Sequence, residues 1–127
     1  MHSIKNRSIL VVDDHKDISY LVKAHLQKCG FDVYEFDDPL IALSYFKENA
    51  KKFSLIITDV MMPGMNGIEF LVKVKQISPN VKSFLMTSFE INTIKSEIVK
   101  NALEISEIIQ KPVPLKKLII SVKNALN

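Results

Sequence analysis

Short apolar runs alternate with longer stretches whose apolar positions return every three or four residues. The run SILVV (8–12) reads as a buried strand, after which Ile18, Leu21, Val22, Leu26 and Cys29 recur at helical spacing until Gly30 ends the series. FDVYEF (31–36) reads as a second strand. Asp38 and Pro39 then supply a capping residue and one whose φ suits a first helical turn, so a helix is predicted from there to about Asn49. SLIIT (54–58) is the third strand, followed by a loop containing Pro63 and Gly64 and by a helix over about 67–77. VKSFLM (81–86) and EIIQ (107–110) are the fourth and fifth strands. Ile91, Ile94, Ile98, Ala102 and Leu103 mark the helix between them, and Leu115, Leu118, Ile119, Val122 and Leu126 stripe the last one. The isoleucine series is read as a core stripe rather than as a patch for a partner.

Five strand-then-helix units predict an α/β fold with one parallel sheet and helices on both faces. Each crossover between parallel strands is right-handed and must cover an apolar sheet face. No repeat, low-complexity segment or linker interrupts the pattern. A doubly wound sheet of this kind binds ligands just beyond the carboxyl ends of its strands. There the first strand runs into Asp13 and Asp14, the third into Asp59, the fourth into Thr87, and the fifth, through Gln110, into Lys111 and Pro112.

Each of these residues has an ordinary reading when taken singly: Asp14 could cap a helix beginning at His15, and Asp59 could close a turn. Together they would bring three carboxylates, a hydroxyl and an ammonium to one edge. Acids so crowded repel one another, and either a pKa rises or a cation joins them. Oxygen donors favour a hard ion. Mg²⁺, which takes one or two carboxylates, keeps several waters and bridges to phosphate, suits the set best, with Mn²⁺ as the alternative ion. Three acids, one Mg²⁺ and Lys111 sum to about zero charge, which leaves room for a phosphoryl group.

The remaining composition narrows the function further. The 127 residues, 47% apolar and 24% charged, fit one globular domain with a sizeable core. The net charge of +3 comes from 17 basic and 14 acidic residues dispersed along the chain, which argues for a solvated surface and against direct nucleic-acid binding. No apolar run approaches the ~20 residues that span a bilayer. The start MHSIKNRS also lacks the apolar stretch of a signal peptide, so a cytoplasmic protein without membrane contact is expected. The single cysteine, Cys29, reads as a buried thiol in a reducing compartment. His15 follows the acid pair, but His2 and His25 offer it no ligand spacing, and it is not read as a metal ligand.

VVDD at the end of strand one, ITDVMMPGMNG after strand three, MTS after strand four and QKP after strand five resemble the receiver domain of two-component response regulators. The resemblance spans essentially the whole chain, with four separated elements matching in order. It implies a flavodoxin-like (βα)5 three-layer sandwich with strand order 2-1-3-4-5, and a single receiver domain over 1–127, either standing alone or belonging to a longer response regulator. It also implies phosphoryl transfer from a phosphohistidine, on a sensor histidine kinase or a histidine phosphotransfer protein, to Asp59 as the acceptor nucleophile. By the same resemblance Asp13, Asp14, Asp59 and the backbone carbonyl of Met61 would hold the metal. Thr87 and Lys111 would stabilise the phosphoryl oxygens, and a cis peptide bond would precede Pro112. Its enzymatic activity would be confined to its own phosphorylation and dephosphorylation. The fourth helix, fifth strand and fifth helix would form the switching face, with dimerisation through it left open and the output partner unnamed. Met61 and Phe89, two residues beyond the acceptor and the threonine, would flank the path of attacking water; both are apolar, so slow self-dephosphorylation is expected.

The chain departs from the family's pattern in three places. Ile108 occupies the switch position where receivers carry Phe or Tyr, Glu104 and Ile105 replace a small pair before strand five, and the stretch from Thr87 to Lys111 is slightly long. The acceptor set is complete, whereas an aromatic relay is missing; a switch through Thr87 and its loop is expected instead. Competing readings lack their signals. A phosphohydrolase of similar architecture would need an acid two residues after Asp59, where Met61 stands. A pseudo-receiver that only binds partners would have lost site residues, and a nucleotide-binding domain would want glycines where DDHKD has none.

Overall fold

In the computed structural model, which describes residues 8–126, the chain runs β1 (Ser8–Val12), α1 (Lys16–Lys28), β2 (Asp32–Phe36), α2 (Pro39–Asn49), a 3₁₀ turn (Ala50–Lys52), β3 (Phe53–Asp59), α3 (Gly67–Ile77), β4 (Lys82–Thr87), α4 (Ile91–Lys100), β5 (Glu107–Gln110) and α5 (Leu115–Leu126). Residues 1–7, His2 among them, and residue 127 lie outside the described residues. The strands form one parallel sheet in the order β2-β1-β3-β4-β5, the flavodoxin-like arrangement expected.

Strand residues alternate between two cores. Ile9, Val11, Leu55, Ile57, Phe84 and Met86 pack with Val22 and Leu26 of α1 and Leu118 and Val122 of α5. Leu10, Val12, Ile56 and Leu85 face the other way, against α2, α3 and α4 through Phe46, Phe70, Leu71, Val74 and Ile94. Because both sheet faces are covered there, the central strands β1, β3 and β4 read as nearly continuous apolar runs, whereas the edge strands β2 and β5 are more polar and more exposed. Burying each such side chain contributes about 1.5–3 kcal/mol, so the sheet is a rigid base for whatever its strand ends carry. The order reverses between β1 and β3, where a doubly wound sheet opens its crevice.

Two expected stripes are corrected. On α1 the buried positions are Ser19, Val22 and Leu26, while Leu21 is 47% exposed; the covered face is narrower than the apolar series. On α4, Ile94 and Ile98 are buried, but the helix stops at Lys100 and does not continue through Ala102 and Leu103. Ala102 adopts φ 53°, its N–H donates to the Val99 carbonyl, and the Leu103 N–H donates to the Ile98 carbonyl. This paired reversal is the Schellman ending. Leu103 still packs against the core, reaching it by the turn rather than by helical phase. The same ending closes α1, with Gly30 at φ 91° and N–H bonds from Gly30 to Gln27 and from Phe31 to Leu26. Among the described residues, no helix is long and apolar enough to cross a membrane.

Candidate functional site

Backbone hydrogen bonds continue past the strand ends and fix the residues that follow. The Asp13 N–H donates to Phe36 O at 3.1 Å, Val60 N–H to Met86 O at 3.0 Å, and Lys111 N–H to Thr87 O at 2.7 Å. Asp13 and Asp59 are buried as a result, Asp59 as the last residue of β3. Lys111 reaches across from the end of β5, with Nζ 3.0 Å from Asp13 Oδ2 and 3.2 Å from Asp59 Oδ2. The peptide bond between Lys111 and Pro112 is cis.

The electrostatics are unbalanced. One ammonium sits between two buried carboxylates, with half-buried Asp14 beside them. Burial, and then the neighbouring Asp13 charge, push the Asp59 carboxyl above its ordinary range, while Lys111 and the Val60 N–H pull the other way. Asp13 Oδ2 and Asp14 Oδ1 are buried and accept no well-directed hydrogen bond, although Lys111 lies within ion-pair distance of the former. Buried acceptors left this way call for a missing partner. Asp13, Asp14 and Asp59 supply the oxygen donors a hard divalent cation takes, so the residues fit such an ion.

The loop after β3 closes tightly on the end of that strand. Gly64 adopts φ 87°, and Asn66 and Glu69 form a reciprocal capping box at the start of α3. The Gly67 N–H donates to Val60 O at 2.7 Å, and a Cβ at Gly67 would lie 2.1 Å from Asp59 O. Any side chain there would displace the carbonyl of Asp59 itself. Met62 and Met65 pack into the core beneath this loop, whereas Met61 is exposed.

Thr87 is fully buried at the end of β4, one residue beyond Met86, the register partner of Asp59. Its hydroxyl oxygen accepts the Phe89 N–H at 2.9 Å, and its carbonyl accepts Gln110 Nε2 at 3.1 Å. Met61 and Phe89, far apart in sequence, line one surface pocket together with Asn66, Thr93 and Glu97. Ile108 pairs with Leu85 and is half-buried against the core shared by α2, α3 and α4.

One residue set aside on spacing falls inside the cluster. His15 Nδ1 is 3.2 Å from Asp13 Oδ1, 3.5 Å from Asp14 Oδ1 and 4.0 Å from Asp59 Oδ2. Comparing histidines only with one another hid this, because its neighbours are carboxylates from two strand ends. The signal was the adjacency DDH at a strand terminus.

Residues 9–123 match the sequence profile described as the response regulator receiver domain. The chain belongs to the response regulator receiver family. It is 32% identical over 120 residues to the response regulator receiver protein CpdR of Brucella abortus, covering 94% of this chain and 96% of that one. It is 31% identical to a cyclic di-GMP phosphodiesterase of Thermotoga maritima, covering 94% of this chain but 31% of that longer protein. The solved structure of chemotaxis protein CheY4 from Vibrio cholerae superposes with a TM-score of 0.83 at 27% identity, over 94% of this receiver and 98% of that chain. Receivers of this family are phosphorylated by histidine kinases or phosphotransfer proteins and bind Mg²⁺ at an acidic pocket.

Proposed function

We propose that this receiver is switched by phosphorylation of Asp59. The observation that carries the reading is the Lys111 ammonium held between Asp13 and Asp59, beside two buried carboxylate oxygens that lack hydrogen bonds. A carboxylate oxygen of Asp59 attacks the phosphorus of a phosphohistidine on a sensor kinase or phosphotransfer protein. The P–N bond breaks, the imidazole leaves with its electron pair and takes up a proton, and an aspartyl phosphate forms. Asp13, Asp14, Asp59 and the Met61 carbonyl would hold Mg²⁺, or Mn²⁺ in its place, and the bound ion would supply positive charge for the phosphoryl oxygens. Lys111 pairs with one phosphoryl oxygen and the Thr87 hydroxyl donates to another. Lys111 already stands beside Asp59, so its charge needs little reorganisation when charge shifts.

The switch follows from the Thr87 hydroxyl. It already accepts the Phe89 N–H, so turning toward a phosphoryl group either carries residues 87–90 with it or releases them. Ile108 offers no aromatic ring to rotate, and the motion is concentrated in this loop. The face formed by α4, β5 and α5 carries the output or self-association, in a chain that stands alone or forms one domain of a longer regulator. The domain acts in the cytoplasm and its own chemistry goes no further than gaining and losing one phosphoryl group.

The test is labelling by acetyl phosphate with Mg²⁺. Lys111→Ala is expected to label about 10²–10³ times more slowly, the usual effect of removing one fixed electrostatic partner, and Asp14→Asn to lose the Mg²⁺ dependence. Equal rates in all three proteins would sink the assignment.

A further inference from the structure

The structure assigns to His15 a part in this site that sequence spacing denied it. We infer that its Nδ1 is a nitrogen donor to the divalent cation, and that it shifts the site's preference from Mg²⁺ toward borderline ions such as Mn²⁺, Co²⁺ and Ni²⁺. The inference rests on the receiver reading of the acidic cluster and deepens it.

Three observations support it. His15 is the N-cap residue of α1, yet its side chain makes no capping bond. Asp38 and Asn66, in the same position on α2 and α3, spend their side chains on the helix, whereas Glu90 on α4, like His15, does not. His15 instead turns Nδ1 to the carboxylates, while its backbone N–H donates to Asp13 Oδ1 at 2.9 Å and fixes the residue against the site. Second, donor atoms of Asp13, Asp14, His15 and Asp59 all lie within 4.8 Å of one another. With bonds of ~2.1 Å, neighbouring donors of an octahedral ion stand about 3.0 Å apart and opposite donors about 4.2 Å apart. The distances of 3.2, 3.5 and 4.0 Å from Nδ1 to the three acids fall in that range. Third, the buried Asp14 Oδ1 accepts no hydrogen bond, and fully buried Asp13 Oδ2 has only the Lys111 ammonium at 3.0 Å, so the site still has acceptor capacity to satisfy.

Imidazole is a softer donor than carboxylate. It adds little for Mg²⁺, which prefers oxygen, and more for first-row transition ions. Any oxygen site binds Co²⁺ and Ni²⁺ above Mg²⁺ to some degree, so the absolute order decides nothing. The change on losing His15 does. Its side chain is 63% exposed, and its removal leaves the core untouched.

The experiment titrates the 127-residue chain with Mg²⁺, Mn²⁺, Co²⁺ and Ni²⁺ above the ordinary histidine pKa range, by calorimetry and by spectroscopy. His15→Ala should weaken Co²⁺ and Ni²⁺ by at least about tenfold, the lower bound set by losing even an outer partner of a ligand, while Mg²⁺ affinity stays within about twofold. The Mn²⁺-loaded wild type should show electron-spin coupling to an imidazole nitrogen. That coupling should vanish in His15→Ala and His15→Gln and survive in His2→Ala/His25→Ala. Equal selectivity in wild type and His15→Ala, or coupling lost only with His2 and His25, would overturn the role of His15. If Asp14→Asn alone then abolished binding, the acidic site would still stand. A wild type that bound none of the four ions would remove both.

Discussion

Asp59 shows how a single residue can be costly to the fold and necessary to the site. Burial and the Asp13 charge raise its pKa, so the folded protein holds that proton more tightly than the unfolded chain does. The stabilising contribution is therefore complete below the ordinary carboxylate range and is lost as pH rises through the raised value. At neutral pH, without divalent ions, ionised Asp59 works against folding. Asp59→Asn is expected to melt above wild type in chelator at neutral pH, and the gap should close as pH falls through the raised Asp59 pKa. Thermal denaturation across that range checks this; a gap that held constant or widened on acidification would refute the account of the charge. Added Mg²⁺ should narrow the neutral-pH gap as well, because an ion that binds only the folded form stabilises the wild type.

At the scale of elements, helix endings set both stability and motion. Gly30 and Ala102 hold the same left-handed position in equivalent turns, but only glycine adopts it without a Cβ penalty. Ala102→Gly relieves a left-handed strain of roughly 1–2 kcal/mol, partly offset by the greater chain entropy glycine loses, and a net gain is expected as a higher denaturant midpoint at unchanged m-value; a loss would contradict the turn. In the proposed switch, the loop from β4 to α4 would carry the output motion. Phe89 and Met61 line one pocket, and neither can orient water. Phe89→Glu or Phe89→Asn should speed decay of the phosphorylated form at constant Mg²⁺. Backbone amide shifts on phosphorylation should concentrate at residues 87–92. Unchanged decay would refute shielding by Phe89, and shifts centred on Ile108 alone would refute the loop switch.

For the whole molecule, the centre of the sheet was legible because both of its faces are covered: SILVV and SLIIT are apolar enough to read as strands without alternation. Strand order came from resemblance, since periodicity alone does not say which strands pair. Asp13, Asp59, Thr87 and Lys111 were readable as polar ends of apolar runs. His15 was not, because ligand spacing was sought among histidines, whereas its partners are the adjacent Asp13 and Asp14 and, from another strand end, Asp59. The end of α4 was hidden for a different reason: Leu103 is apolar and buried enough to extend a stripe, while Ala102 carries no turn signal. The departures around Glu104 and Ile105 fall in the connection after that turn, where Glu104 O accepts the Ser83 hydroxyl and Ser106 N–H reaches Ser83 O. They adjust how β5 is approached, and Lys111 still arrives between the carboxylates.

The central claim is that Asp59 is the phosphoryl acceptor, and mapping the modified residue tests it most directly. The protein is incubated with acetyl phosphate and Mg²⁺, reduced with borohydride, which converts an aspartyl phosphate to homoserine, and digested for peptide mass spectrometry. The account predicts homoserine in place of Asp59 and nowhere else, and none when donor or Mg²⁺ is omitted. Homoserine in place of Asp13 or Asp14, or an undiminished phosphoryl label in Asp59→Asn, would contradict it.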